Sequence, residues 1–336
     1  MKKYFTHILL ALLSLTNWLP AWSQVQKVDA IGITVSQMDR SVRFYTQVLG
    51  FKKISDQEVY GEPYEELQGI FGLRMRIVRM QLGEEFIELT DYLTSGGRSI
   101  PEDARSNDLS FQHIAIVVSD MDEAYRHLKK FQVEHVSTGP QTLPKSIPGA
   151  EGIRAFYFHD PDRHNLELIF FPKGKGQAKW QARPGRLFLG IDHTAIGVSN
   201  TDSSLAFYRQ LLGFERKGES WNKGMEQAHL NFVENASLHI TGLRVDQGPG
   251  IELLQYLQPG PGKAFPPDTR SDDIWHWQTT LIVNDAEQLY NKLKTSSYHI
   301  VSSTLVTLAS KHGTQGRAFI ARDRDGHAVL VRDEQH

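Results

Sequence analysis

The chain has 336 residues, a formal net charge of -2 and 40% hydrophobic residues, which suits two globular domains with full cores. That charge, with no long block of like sign, argues against a nucleic-acid binder, which needs a basic stripe to displace counterions. No cysteine is present, so disulfides, thiol nucleophiles and thiolate metal sites are excluded, and any metal must be held by His and carboxylate.

Residues 1–23 open with two lysines, continue through the apolar run ILLALLSLTNWLPAW, and place Ala21 and Ser23 where a cleavage site needs small residues. This is the layout of a secretory signal peptide, with Gln24 as the expected new terminus and a periplasmic or secreted location. After cleavage no membrane association is expected.

The first strand signal is VDAIGITVS (28–36). Its alternation puts Val28, Ala30, Gly32 and Thr34 on one face and Ile31, Ile33 and Val35 on the other. The branched face should pack on the following helix (39–49, with Val42, Tyr45 and Leu49 on one side), leaving the small residues to line an open inner face. Ser36 stands where a helix N-cap belongs and Gly50 where a C-terminal stop belongs. Strand runs RMRIVRMQL (74–82) and EEFIELTDYL (84–93) follow. The pattern restarts at FQHIAIVVS (111–119), where Ser119 again suggests a cap, followed by a helix over 121–130 and a closing strand around NLELI.

The second half repeats the first. SQMDRSVRFYTQVLGF (36–51) matches SNTDSSLAFYRQLLGF (199–214), PEDARSNDLSFQH (101–113) matches PPDTRSDDIWHWQ (266–278), and HDPDRHNLELIFF (159–171) matches RDRDGHAVLVRD (322–333). The chain therefore divides into a first domain (24–172), a basic Gly- and Pro-containing surface linker (173–186) and a second domain (187–336). Each domain divides again into two units of strand, helix and about three strands, giving four modules.

Four opening-strand positions correspond: Ala30, His113, His193 and Gln278. Four closing-strand positions also correspond: Glu88, Glu167, Glu252 and Leu330. The three glutamates sit among apolar residues, and a carboxylate facing a core must be satisfied by a metal, an arginine or a hydrogen-bond network. Recurrence at matched positions favours the metal.

The modules, the SxxDxSxxFYxxxLGF helix and the DPDxHxLEL closing strand resemble the vicinal oxygen chelate superfamily, which includes glyoxalase I, extradiol dioxygenases and bleomycin-binding proteins. The resemblance implies an α+β fold in which tandem βαβββ modules form two half-barrel sites, with ligands from the opening and closing strands. If consecutive modules pair, as in extradiol dioxygenases, neither site holds two His and one carboxylate, so ring cleavage is disfavoured. If modules pair across the halves, as in glyoxalase I-like proteins, modules two and three bring together His113, Glu167, His193 and Glu252. Modules one and four then keep only Glu88, beside Ala30, Gln278 and Leu330.

The resemblance implies one divalent metal, whether zinc, nickel, iron(II), manganese or cobalt, in a lyase or isomerase acting on a small substrate with vicinal oxygens. Glu167 or Glu252 would serve as the proton shuttle. The alternative is a metal-free protein that sequesters small molecules in an aromatic groove, for which WHW (275–277), Tyr256 and Phe265 are candidates near modules one and four. His229, Asn231, His239, Tyr157 and His159 are expected on strands near the pocket. His164, His327 and Asp160-Pro-Asp162 are read as turn chemistry. An oligomer is not required, since a fused duplicate can complete its own half-barrels.

Overall fold

The computed structural model describes residues 24–182, 185–309 and 315–333; the expected signal peptide lies outside them. Module one comprises β1 (Val25–Thr34), α1 (Met38–Gln47), β2 (Lys52–Tyr60), α2 (Glu62–Gln68), β3 (Arg74–Leu82) and β4 (Glu85–Tyr92). Module two comprises β5 (Gln112–Val118), α3 (Met121–Lys130), β6 (Gln141–Thr142), β7 (Arg154–His159) and β8 (Asn165–Phe170). Module three comprises β9 (Phe188–Gly197), α4 (Thr201–Leu205) with a π-helical continuation Ala206–Leu211, β10 (Glu215–Lys223), α5 (Met225–Asn231), β11 (Ser237–Arg244) and β12 (Gly250–Gln258). Module four comprises β13 (Trp277–Val283), α6 (Ala286–Lys294), β14 (His299–Ile300), β15 (Val306–Ala309), β16 (Gln315–Arg322) and β17 (Ala328–Arg332).

In every module the opening and closing strands pair in parallel: β1 with β4, β5 with β8, β9 with β12 and β13 with β17. The opening strands then pair antiparallel with one another, β5 with β9 and β1 with β13. Two curled sheets result. One runs β10-β11-β12-β9-β5-β8-β7-β6 and joins modules three and two; the other runs β14-β16-β17-β13-β1-β4-β3-β2 and joins modules four and one. The fold is α+β, and each half-barrel draws one module from each half of the chain.

The cores are distributed the other way. Ile31, Ile33 and Val35 pack with Tyr45 and Leu49, and the same cluster takes in Met121, Ala124 and Leu128 of α3. Modules one and two thus share a core, while Phe207, Leu212, Leu289, Leu293 and Phe319 build the counterpart between modules three and four. Sheets shared across halves and cores shared within halves lock the two domains together.

The serines do not cap helices. Asp120, not Ser119, caps α3 by accepting from Glu123 N, and Gln37 precedes α1 with no side-chain cap. Ser36 instead donates from N and Oγ to Asp162 at 3.0 and 2.5 Å, and Ser199 N donates to Asp325 at 3.0 Å. Each serine ties an opening strand to the turn of a neighbouring module. The glycine stop holds, since Gly50 has φ +73. Two short helices, α2 and α5, are additions to the expected strand runs. EQAHLN (226–231) lies in α5 because Gly224, at φ +101, turns the chain and good helix formers follow. No helix among the described residues is long and apolar enough to cross a membrane.

Candidate metal centre

The register of the β5–β9 pair builds the centre. His113 lies opposite Ala195 and His193 opposite Ala115. Glu167 lies beside Ala115 on β8, and Glu252 beside Ala195 on β12. Each alanine therefore separates a glutamate from the histidine of the other module. A methyl group there leaves space above the sheet, into which the longer side chains converge.

The atoms meet at ligand distances. His113 Nε2 is 3.0 Å from Glu167 Oε2, His193 Nε2 is 3.6 Å from the same oxygen, and His193 Nε2 is 3.4 Å from Glu252 Oε2. His113, Glu167 and His193 each offer a ligand atom, and these three lie within 4.8 Å of one another. Ligands ~2.1 Å from a divalent ion stand roughly 3.0–3.4 Å apart in octahedral or tetrahedral geometry. Glu252 stands at the rim, its side chain 31% exposed against 6% for Glu167.

Short as these contacts are, neither His113 Nε2 nor His193 Nε2 is aligned for a hydrogen bond, and both atoms are buried. Buried, orphaned imidazole nitrogens facing carboxylates fit a cation between them. Two nitrogens and carboxylate oxygens suit a borderline divalent metal. Burial works to raise the pKa of Glu167, but the two imidazoles held close against it outweigh burial and bring the carboxyl down to about 2. Burial likewise opposes the charged form of His193, and Glu252, Asp192 and Glu167 overcome it and push the pKa well up.

Sequence reasoning passed over Asp192. Its Oδ2 accepts from His193 Nδ1 at 3.0 Å and from Arg244 Nη2 at 2.7 Å. Its Oδ1 accepts from Trp180 Nε1 at 2.5 Å and Gln177 Nε2 at 3.0 Å. With Nδ1 committed, His193 turns Nε2 toward the centre. The 173–186 segment is thus more than a solvated linker: it forms a 3-10 turn, Ala178–Gln181, and buries Trp180 against the site. The repeat carried the signal, since Asp29 and Asp192 both precede an opening-strand position.

The other half-barrel is closed by different chemistry. Arg79 donates to Glu88 at 2.8 Å and to Asp29 at 2.9 Å, so a guanidinium supplies the positive charge. Arg79 lies opposite Glu88 across β3–β4; the residue opposite Glu252 is Gly242. Gln278 folds over Gly32, where a Cβ would come 2.8 Å from its Cγ. Leu330 packs against an apolar cluster that includes Leu67, Ile320 and Ala328.

The remaining candidates scatter. Tyr157 packs on His113, ring centroids 4.9 Å apart. His239 stacks on the exposed Trp221, away from the centre. His159, Asn231, Trp275 and Trp277 line a cleft of about 1290 Å³ that none of the four candidate ligands touches. Tyr256 packs with Phe111 and Tyr157, so it contributes no groove to modules one and four. His164 is buried between the Asp160 carboxylate, at 2.9 Å, and the Ile274 carbonyl, at 2.8 Å, a structural role in the turn. A second cleft, about 660 Å³, opens directly on Glu167, His193 and Glu252.

The model of the glyoxalase/bleomycin resistance protein/dioxygenase superfamily matches residues 27–168 and again 190–331. The chain belongs to this superfamily. Among its relatives are lactoylglutathione lyase of Schizosaccharomyces pombe, 27% identical over 192 residues, and 2-epi-5-epi-valiolone epimerase of Actinomyces sp, 31% identical over 152 residues. The matches cover 55% and 44% of this chain, and 59% and 80% of those proteins; the chain thus spans less than two thirds of the lyase. Glyoxalase I from Zea mays superposes with a TM-score of 0.56 at 17% identity, over 93% of each chain, a likeness of fold.

Proposed function

We propose that the protein is an exported, divalent-metal-dependent lyase or isomerase that moves a proton on a small substrate bearing vicinal oxygens. The observation that carries this is the pair of orphaned imidazole nitrogens, from two different halves of the chain, facing one buried carboxylate. His113, Glu167 and His193 would hold the ion, with Glu252 as the fourth, exchangeable ligand. A bound ion supplies Lewis acidity that polarises the substrate's oxygens and stabilises developing negative charge.

The protein's own groups divide the remaining work. Glu167 is buried and clamped, so its carboxylate stays anionic and fixed. Glu252 faces the cleft and has the freedom to take a proton at its carboxylate oxygen from the carbon beside a carbonyl, then return it. Asp192 and Arg244 hold His193 in place throughout. Ala155, Ile169 and Leu254 line the cleft beside the carboxylates and give the reacting carbon an apolar wall. That one relative is named a lyase and another an epimerase supports proton transfer as the common step.

The test is deuterium uptake from D2O into dihydroxyacetone or methylglyoxal hemithioacetals, followed by NMR. Uptake abolished by EDTA and restored by zinc, nickel, manganese, iron(II) or cobalt is expected. Uptake indifferent to EDTA, or a protein that retains no added metal, contradicts the reading. Export is tested separately by the N-terminal sequence of the mature protein, expected to start at Gln24.

A further inference from the structure

A buried chain of amides that proton transfer does not require runs from the cleft over the metal centre to the larger cleft. Asn222, Gln227 and Asn231 are 4%, 1% and 1% exposed. Asn222 Nδ2 donates to Gln227 Oε1 at 3.0 Å, and Gln227 Nε2 donates to Asn231 Oδ1. Asn222 and Gln227 line the same cleft as Glu167, His193 and Glu252. The ladder's end at Asn222 Oδ1 is buried with no partner.

The internal duplicate tests whether the fold itself demands these amides. Gly61 and Gly224 both take positive φ at the start of their short helices, α2 and α5. Counting from them, Asn222 corresponds to Val59, Gln227 to Tyr64 and Asn231 to Gln68. In the half-barrel that has lost its ligands, Val59 and Tyr64 pack into an apolar cluster with Ile70, Leu73, Met75 and Tyr92. The same turn and helix therefore form with no ladder. There, Gln68 accepts a hydrogen bond from Tyr92 at 3.1 Å. In the half with the metal centre, Gln227 takes the Asn231 oxygen instead, and the matching hydroxyl of Tyr256 is buried without a partner. Unsatisfied buried polar groups are costly, and three are tolerated here: Asn222 Oδ1 at the cleft, and Asn231 Nδ2 and the Tyr256 hydroxyl behind it.

We propose that the ladder reads hydroxyl groups of the substrate, so that the site takes small polyhydroxylated carbonyl compounds rather than alkyl ones. A hydroxyl both donates and accepts, so it satisfies an amide terminus in either orientation of the ladder. The neighbouring Ser220 of β10 extends the polar wall, and a cleft of about 660 Å³ has room for a polyhydroxylated ligand. This inference rests on the reading of the cleft as the substrate site.

A matched pair of probes tests it. Erythrulose and 1-hydroxybutan-2-one share the hydroxyketone that a metal chelates and differ only in two distal hydroxyls. Dissociation constants are measured by ligand-observed NMR for the zinc-loaded and the EDTA-treated full chain, with zinc content determined in parallel. Erythrulose should bind roughly tenfold tighter, as expected for a net gain of one or two hydrogen bonds. The double variant Asn222→Val, Gln227→Tyr, which installs the duplicate's residues, should erase that ratio while zinc content holds. Asn222→Val alone should reduce it, and reads the same difference if the double variant fails to fold. Equal affinities in the wild type, no binding of either probe, or a ratio that survives in the variants overturns the inference. A chain that takes up no zinc overturns the metal reading instead, and the hydroxyl preference is then judged on the EDTA-treated chain.

Discussion

Asp192→Asn is the most informative single substitution near the centre, because it alters charge and hydrogen bonding with almost no change of shape. Four donors converge on the two carboxylate oxygens of Asp192: His193 Nδ1, Arg244 Nη2, Trp180 Nε1 and Gln177 Nε2. Asparagine offers one oxygen and adds its own N–H donors, so at least one of the four loses its acceptor and the Arg244 charge loses its buried partner. Removing one member of a buried charged hydrogen bond costs about 3–5 kcal/mol; because Arg244 is 24% exposed, about 2–3 kcal/mol of global stability is the expected loss. The metal should feel it too, since the partner of a ligating histidine is worth about 10–100-fold in affinity. Urea unfolding and zinc titration against a chromophoric chelator measure the two effects. Unchanged zinc affinity in a folded Asp192→Asn protein would refute the assignment of Asp192 as the residue that orients His193.

Three further outcomes are expected. Glu252→Gln should keep metal within about tenfold but lose roughly 10²–10⁴ in deuterium exchange, whereas Glu167→Gln should lose the metal itself; elemental analysis beside NMR separates them. Arg79→Met strands Glu88 and leaves Asp29 with Lys27 alone, and should cost about 2 kcal/mol in urea unfolding, the lower end reflecting partial exposure, with no change in metal content. The buried His164–Asp160 pair gives a pH signature. The Asp160 charge and hydrogen bonds overcome burial and raise His164 above its ordinary pKa, so its stabilisation is full below about pH 6.5 and is lost as pH rises through the folded value. The pKa of Asp160, which burial works to raise, is depressed by His164, and its stabilisation is lost as pH falls through its folded value. His164→Asn should flatten both flanks of the stability–pH curve measured by urea unfolding.

Much of this architecture was legible because side-chain periodicity and duplication are carried by the sequence itself. The alternation in VDAIGITVS gave the faces of β1, and the repeated opening and closing positions singled out His113, Glu167, His193 and Glu252. Their spatial pairing follows from sheets that join module two to module three. What stayed hidden is what depends on contacts distant in sequence. Ser36 reads as a cap from its neighbours, yet its partner is Asp162, far along the chain. EQAHLNF alternates well enough for a strand, yet the turn at Gly224 and the helix formers after it set the segment as a helix. Arg79 looks like one charge among several in RMRIVRMQL until the β3–β4 register sets it opposite Glu88. Trp180, in a segment with linker composition, is buried by a hydrogen bond to Asp192 that no local pattern encodes.

The central claim is a single metal shared between the two halves of the chain. Metal content should be measured by elemental analysis on wild type, His113→Ala, His193→Ala and Glu88→Ala after equilibration with zinc and removal of the excess. About one zinc per chain in the wild type and in Glu88→Ala, and none in either histidine variant, is the expected result. Zinc retained when only one of His113 and His193 is removed, or lost equally on removing Glu88, would contradict a centre built across the halves.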